Sequence, residues 1–596
     1  MGRSAHKLPA RGLAVPLLAL SVTWLTLGCG GGVSKDEVLN FCLRDNVATM
    51  DPISADNEFA KQVVAQIYET LYQYHYLLRP YRLVPCLAET LPEVSGDTLT
   101  YTIKIKRGVR FQDDPCFPAG KGRELVADDF VYGWKRLADT KLRGKTFWCL
   151  EKVKGFEEFR TASIAPSPTD YSKPIEGIQV IDPHTLRIVL KEPYPQLEYV
   201  LAMVHTAPMP KEAVDFYKED IGSHPVGTGP YKLEEWTRGS RVVLVANTHF
   251  REELYPNQGT PEDEINGLLA DKGKKLPFIK KAIYDVIVEP QPRFLKFKNG
   301  ELDTVLIEKD SFEQYFDRER GNRVRSELEA QGFRGVHIQS PEVTYQGLNM
   351  RDPVLGTSKK LRQAMSLARD FYLRNKTLYS GVAAMATRFL PKGCAEYDPD
   401  FRSPYRAERG DFERAAQLLA EAGFPGGEGL PEFVFEATSD PLSRQKTENV
   451  MNDWAKIGIK CRPNYTTWDE FLAKVNEGRA QVFAMGWQAD YPDAETFLKC
   501  FYSKNAVPGP NKSNYSNPAF DDLYEKASRM TDSSERRALY KQLADMVVDD
   551  CPVLADMIKV RSSGYREWLK NFKPDDLIDN WLKYWRIEGR ELYLSQ

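Results

Sequence analysis

Two carboxylates three residues apart, Asp490 and Asp493, sit just past residues 482–487, an almost continuously apolar run, within the segment GWQADYPD. A carboxylate at the rim of a core strand is placed to meet a ligand, and the run reads as a buried strand. Alone, Asp490 also reads as a turn former ahead of Tyr491 and Pro492. As an acid–base pair the two carboxylates would need roughly 5–9.5 Å between them across a glycosidic bond. Thr228 lies between Gly227 and Gly229 in PVGTGPY, residues 225–231, as in a phosphate loop, but no Lys-Ser/Thr follows at the required spacing. The segment reads as a tight turn entering a strand. Neither a Gly-x-Ser-x-Gly elbow nor a His-Glu-x-x-His pair occurs, and the seven histidines are scattered. The nine cysteines form no CxxC pair, and none lies beside a histidine, so no zinc, other metal or cofactor is expected.

The ends and the charge bound where this chemistry takes place. Arg3, Lys7 and Arg11 precede an uncharged, mostly apolar stretch at residues 13–28. That stretch is too short, and too basic on its leading side, to read as a membrane-spanning helix; it reads as an export signal. Gly28-Cys29-Gly30 follows and resembles a lipoprotein processing site, although Thr26 stands where such sites prefer leucine. Cys29 is therefore the expected lipidation residue and new N-terminus, holding the protein at the membrane in the periplasm or at the cell surface. The formal charge is −3, and loss of the three basic leader residues takes it to −6. Acidic and basic residues are interspersed, so nucleic acid is not an expected partner. The eight cysteines besides Cys29 permit up to four disulfides, with the pairing left open by spacing. The mature length calls for two or three domains.

Mixed α/β elements must position the segment. Leu99, Tyr101, Ile103 and Ile105 alternate with polar residues, as do Leu186, Ile188 and Leu190. Leu361, Ala364, Met365 and Ala368 have helical spacing; Asp411 caps a second helix that ends at Gly423, and Thr467 to Glu470 is a capping box opening a third. Loop composition marks residues 113–123, 165–174, 255–277 and 425–431, the third long enough to be a surface insertion.

Six segments, in order, resemble the family-5 extracellular solute-binding proteins, which include the oligopeptide- and dipeptide-binding proteins. They are Met50-Asp51-Pro52 with IYETLY at 67–72, YTIKIKRGVRF at 101–111, ADDF at 127–130, PVGTGPY, LRQAMSLARD at 361–370, and GWQADYPD. Thr70 and the loop holding Cys116 depart from the family pattern. The resemblance implies a two-lobed periplasmic-binding-protein-like fold (type II, large cluster) with an extra inserted domain and a hinge. It places the signal at 1–28, lobe one at 29–70, 196–340 and 558–596, the inserted domain at 71–195, and lobe two at 341–557. It further implies a non-catalytic monomer that closes on a short peptide and delivers it to the permease and ATPase subunits of an ABC importer. Asp490 would pair with the ligand's α-ammonium, and Gly486, Trp487 and Gln488 would face the peptide main chain. Asp56, Asn57 and Glu58 would offer backbone atoms from lobe one. The family also leaves room for a nickel chelate, haem, a sugar or an opine, and an exported hydrolase is the remaining alternative. No motif selects the partner of a ligand carboxylate among cations such as Arg388 and Lys392.

Overall fold

The computed structural model describes residues 34–55, 57–142, 144 and 146–591. The signal segment, Cys29 and Asp56 lie outside them. The α/β architecture is built around two long antiparallel strands, Phe333–Leu348 and Val553–Arg566. They pair from Phe333 opposite Arg566 to Gly347 opposite Val553, with register shifts between Gln339 and Val343 and between Thr344 and Tyr345. Below the first shift, Thr304–Leu306 joins the sheet beside Ser563–Tyr565; above it, Val482–Gln488 pairs with Glu342–Leu348. Phe433–Thr438 and Cys461–Thr466 complete the upper part. One sheet therefore runs through both lobes, and its bulges lie where the chain crosses.

Lobe one has its own sheet, in the order Val38–Leu43, Lys281–Val286, Arg241–Ala246, Tyr231–Thr237. A further four-stranded sheet is formed by Glu93–Val94, Thr100–Lys104, Thr185–Val189 and Ile178–Asp182. Its alternating Tyr101, Ile103, Leu186 and Ile188 are buried, as their spacing predicts. The helices Lys359–Leu367, Phe412–Glu421 and Trp468–Asn476 also match the spacing, and the Asp411 and Thr467 side chains accept from the backbone N–H of Arg414 and Glu470.

The turn at PVGTGPY shows why glycine is needed there. A Cβ on Gly227 would lie 2.0 Å from the Ile67 carbonyl oxygen, and one on Gly229 would lie 2.6 Å from it. The Gly229 N–H instead donates to that carbonyl, and Thr228 donates to Glu69. Two of the sequence motifs thus lock each other, and no phosphate cradle is formed.

The cysteines bring a correction. All eight among the described residues are unpaired, six of them buried. They sit as small hydrophobes in different cores: Cys149 in the core that joins residues 39–77 to the 87–190 region, Cys42 under the crossing strands, Cys394 and Cys500 in one core of the 343–558 region, Cys551 in another. Burial pushes the Cys42 thiol up to about 11 and the Cys551 thiol up to about 12.

Lobe two is pinned by a buried ionic cluster. Asp556 lies 2.7 Å from Arg374, 3.1 Å from Arg406 and 3.6 Å from Arg369, all nearly fully buried. Burial alone would raise the Asp556 pKa, but the three guanidinium groups outweigh it and hold the carboxyl well below the usual range. Replacing Asp556 with alanine leaves three buried cations short of a counter-charge. The expected loss is about 3–5 kcal/mol, read as a lower thermal midpoint and faster proteolysis within residues 341–557.

Candidate functional site

The strand Val482–Gln488 supplies the frame of the site. The Ala489 N–H donates to the Pro341 carbonyl at 2.8 Å. With Trp487 opposite Val343 and Met485 opposite Tyr345, antiparallel alternation turns the main-chain groups of Trp487 and Met485 toward the crossing strand. Those of Ala484, Gly486 and Gln488 face the other way. On that side Phe433–Thr438 pairs only at Val482 and Phe483. Beyond it the edge at Gly486 and Gln488 has no strand partner among the described residues, and both residues are exposed. The run expected to be wholly buried is therefore buried at Val482 and Phe483 and opens toward its end. A Cβ on Gly486 would come 2.8 Å from the Glu342 carboxylate, which Lys559 holds at 2.7 Å.

Past the strand, Thr496 gathers the next residues. Its carbonyl accepts from the Trp487 ring N–H at 2.7 Å, and its hydroxyl donates to the Asp490 carboxylate at 3.1 Å. The short helix Glu495–Leu498 then brings Lys499 back onto Asp490 at 2.8 Å. Lys499 Nζ also lies 4.7 Å from the Trp148 ring centroid, 5.6 Å from Tyr491 and 5.7 Å from Trp487. Burial would lower the Lys499 pKa, but Asp490 and Glu495 outweigh it and hold the ammonium above its usual range. Asp493 is paired separately with Arg536 at 2.8 Å, so each of the two carboxylates has its own cation. Trp487 is tied to Thr496 and packs against the lobe-two core.

The opposite wall comes from lobe one and the 148–199 region. Tyr199 stacks on Tyr491 at 5.8 Å with the rings 7° from parallel, and Arg529 reaches Glu192 at 3.0 Å. Asn57 caps the helix Glu58–Ile67 by accepting from the Ala60 N–H at 2.7 Å. Glu58 is paired with Arg561 and, at 3.5 Å, with Arg44. Both side chains are thus engaged within the protein, which leaves backbone as what this lip can offer. Lys61 on the same helix, Asp490 and Lys499 all act electrostatically on Cys149, so the helix and the GWQADYPD turn share one neighbourhood.

A cavity of ≈ 1080 Å³ lies alongside. Arg79, Tyr81, Lys392, Tyr397 and the crossing strand at 334–339 and Pro341 line it. It reaches Pro341 but none of residues 486–490, so this cavity adjoins the expected anchor without containing it. Asp575 in its wall accepts from Arg79 at 2.6 Å and from Tyr81 at 2.7 Å. Arg388 is buried against Asp545 and stacked on Phe401, whereas Lys392 is exposed to the cavity. A smaller cavity of ≈ 40 Å³ is lined by Tyr74, Gln73 and Asp579, whose carboxylate has no hydrogen-bond partner among the described residues. Burial, together with the charges of Glu58, Asp575 and Asp576, outweighs Lys61 and pushes the Asp579 carboxyl up to about 6.

Sequence reasoning missed Lys499, Trp148 and Tyr199. Lys499 has no motif, and the two rings are more than 290 positions from Asp490 in the chain. Among the described residues no group of His, Cys, Asp and Glu side chains is arranged to hold a metal.

Residues 82–509 match the model of the bacterial extracellular solute-binding proteins, family 5 (middle region). The chain is 26% identical over 482 residues to heme-binding protein A of Haemophilus influenzae, covering 78% of this chain and 77% of that protein. It is 25% identical over 505 residues to the dipeptide-binding protein of Escherichia coli, covering 83% and 84%. A solved ABC transporter-associated periplasmic binding protein from Helicobacter pylori, in complex with the peptide STSA, superposes with a TM-score of 0.70 at 22% identity, covering 93% of this chain and 98% of that one. The chain belongs to the family-5 bacterial extracellular solute-binding proteins.

The raised Asp579 carboxyl has a signed consequence. The folded protein holds this proton more tightly than the unfolded chain, so the contribution to stability is full below the ordinary value of 3.8 and is lost as pH rises to about 6. Asp579→Asn is expected to raise stability by about 1 kcal/mol at pH 7.5, with no gain at pH 4. Paired thermal melts at the two pH values measure it.

Proposed function

We propose that this family-5 protein is the substrate-capture subunit of an ABC importer, and that it holds a short peptide between its two lobes for delivery to a membrane permease. The observation that carries this reading is the open strand edge at Gly486 and Gln488. An extended ligand placed there continues the sheet and gains main-chain hydrogen bonds that do not depend on its sequence. Backbone atoms around Asn57 would close on it from lobe one. The adjoining ≈ 1080 Å³ cavity would take side chains together with water, and Lys392 and Lys570 in its wall are cations available to a ligand carboxylate. The charged groups of the turn are neutralised in pairs, which supports binding without catalysis. One relative, the dipeptide-binding protein of Escherichia coli, is named for a peptide ligand, which agrees with this reading. Another is named for haem, which makes haem the comparison ligand. The protein is proposed to act as a monomer tethered through a lipid on Cys29 outside the cytoplasm.

Calorimetry of the mature protein against mixed tri- and tetrapeptides tests the ligand class. Heat with peptides of varied sequence is expected, and a binding constant weakened about tenfold by N-methylation of one central ligand amide, the loss of about one charge-free hydrogen bond. No heat with any peptide, alongside binding of haem, a nickel chelate or a sugar, overturns the peptide reading. Mass spectrometry of the mature N-terminus tests the tether; an unmodified Cys29 or a terminus elsewhere removes it.

A further inference from the structure

A carboxylate with aromatic faces around it is a receptor for an organic cation. The carboxylate supplies charge, and the ring faces supply the quadrupole attraction that tolerates a poorly hydrated ammonium. Such a box stands between the two lobes here. Asp490 gives the carboxylate, Trp487 and Tyr491 give faces from lobe two, and Trp148 gives the third from across the interface. The box is already filled. Lys499 Nζ lies 2.8 Å from Asp490 and within 6 Å of all three ring centroids, and its side chain is only 14% exposed.

We propose that Lys499 is a tethered stand-in for a ligand ammonium group, so that this protein takes ligands whose end at this point is uncharged or an anion, rather than a free amine. The pair Asp490–Lys499 carries no net charge, and an incoming ammonium would meet one attraction and one repulsion of similar size at similar distance. It would lose its hydration for little return. A carbonyl or carboxylate, in contrast, finds Lys499 with one side-chain acceptor among the described residues, Asp490, for its three N–H donors. The Thr496 hydroxyl, which donates to the same Asp490 oxygen as Lys499 does, strengthens the filled arrangement. Since Trp148 closes the box from the opposite side, the lysine also takes over the bridging role that a bound cation would have between the lobes.

The ligand-class part of this inference rests on the peptide reading; the filled box does not. Two measurements keep them apart. In the first, wild-type protein and Lys499→Met are titrated with one tripeptide in free-amine and N-acetylated forms. Wild type is expected to bind the acetylated form as well as or better than the free amine, and Lys499→Met to shift that ratio toward the free amine by about tenfold or more. Wild type that prefers the free amine by about tenfold, or a ratio unmoved by the substitution, overturns the ligand class. In the second, Lys499→Ala, which lacks a propylammonium-sized piece, is melted in propylammonium chloride and in sodium chloride at equal ionic strength. A rise in Tm of several degrees, specific to propylammonium and absent in wild type, is expected; equal melting in the two salts overturns the box itself. If Lys499→Ala folds poorly, its refolding yield in the two salts is read in the same way.

Discussion

The pairing of Phe333–Leu348 with Val553–Arg566 is the constraint from which the other features follow. One ladder runs from Phe333 opposite Arg566 to Gly347 opposite Val553, and its continuous pairing is broken only where the register shifts. The larger of two interruptions lies at Gln339–Val343, beside the start of the segment that pairs with Val482–Gln488, and the second lies within that segment at Thr344–Tyr345. The open edge at Gly486 and Gln488 therefore sits one strand away from the larger one. Its position relative to lobe one changes with any closure, while its pairing to Glu342–Leu348 is kept. The Asp556 cluster anchors the upper end of the same strand, and Thr304–Leu306 anchors the lower end.

The charges around the interface follow a common rule: nearly every one is answered from within the chain. Asp490 has Lys499, Asp493 has Arg536, Glu58 has Arg561, and Asp575 has Arg79. Such walls exert little net field on an entering molecule. They suit recognition by backbone hydrogen bonds and shape more than by charge, since buried pairs add little attraction once satisfied. Asp579 and Glu396 depart from the rule, and burial beside other carboxylates raises both carboxyls, to about 6 and about 7.

Local elements were legible in the sequence because their signals are local. Alternation placed the strands at 100–104 and 185–189, and Asp411 and Thr467 marked helix starts by the hydrogen bonds they make. The order of motifs identified the family. The site was legible only as a segment. GWQADYPD named Asp490, yet the residue that decides the electrostatics of Asp490 is Lys499, nine positions on, where a short helix returns the chain. Trp148 and Tyr199 enter from a different part of the fold, and no spacing rule connects them to residue 490. The glycines of PVGTGPY were legible as a tight turn, but the partner that demands them, the Ile67 backbone, lies about 160 positions away and has no local signal.

The unpaired cysteines carry a consequence beyond their count. Among the described residues no two sulfurs are cross-linked, so the packing of each core involves no covalent bridge. Because the sulfurs are distributed among the separate cores, each core contains its own chemical clock. A buried thiol reacts only when its surroundings open, so the order in which Cys42, Cys149, Cys394 and Cys551 become modified under mild denaturant would rank the cores by local stability, with no label added to the chain.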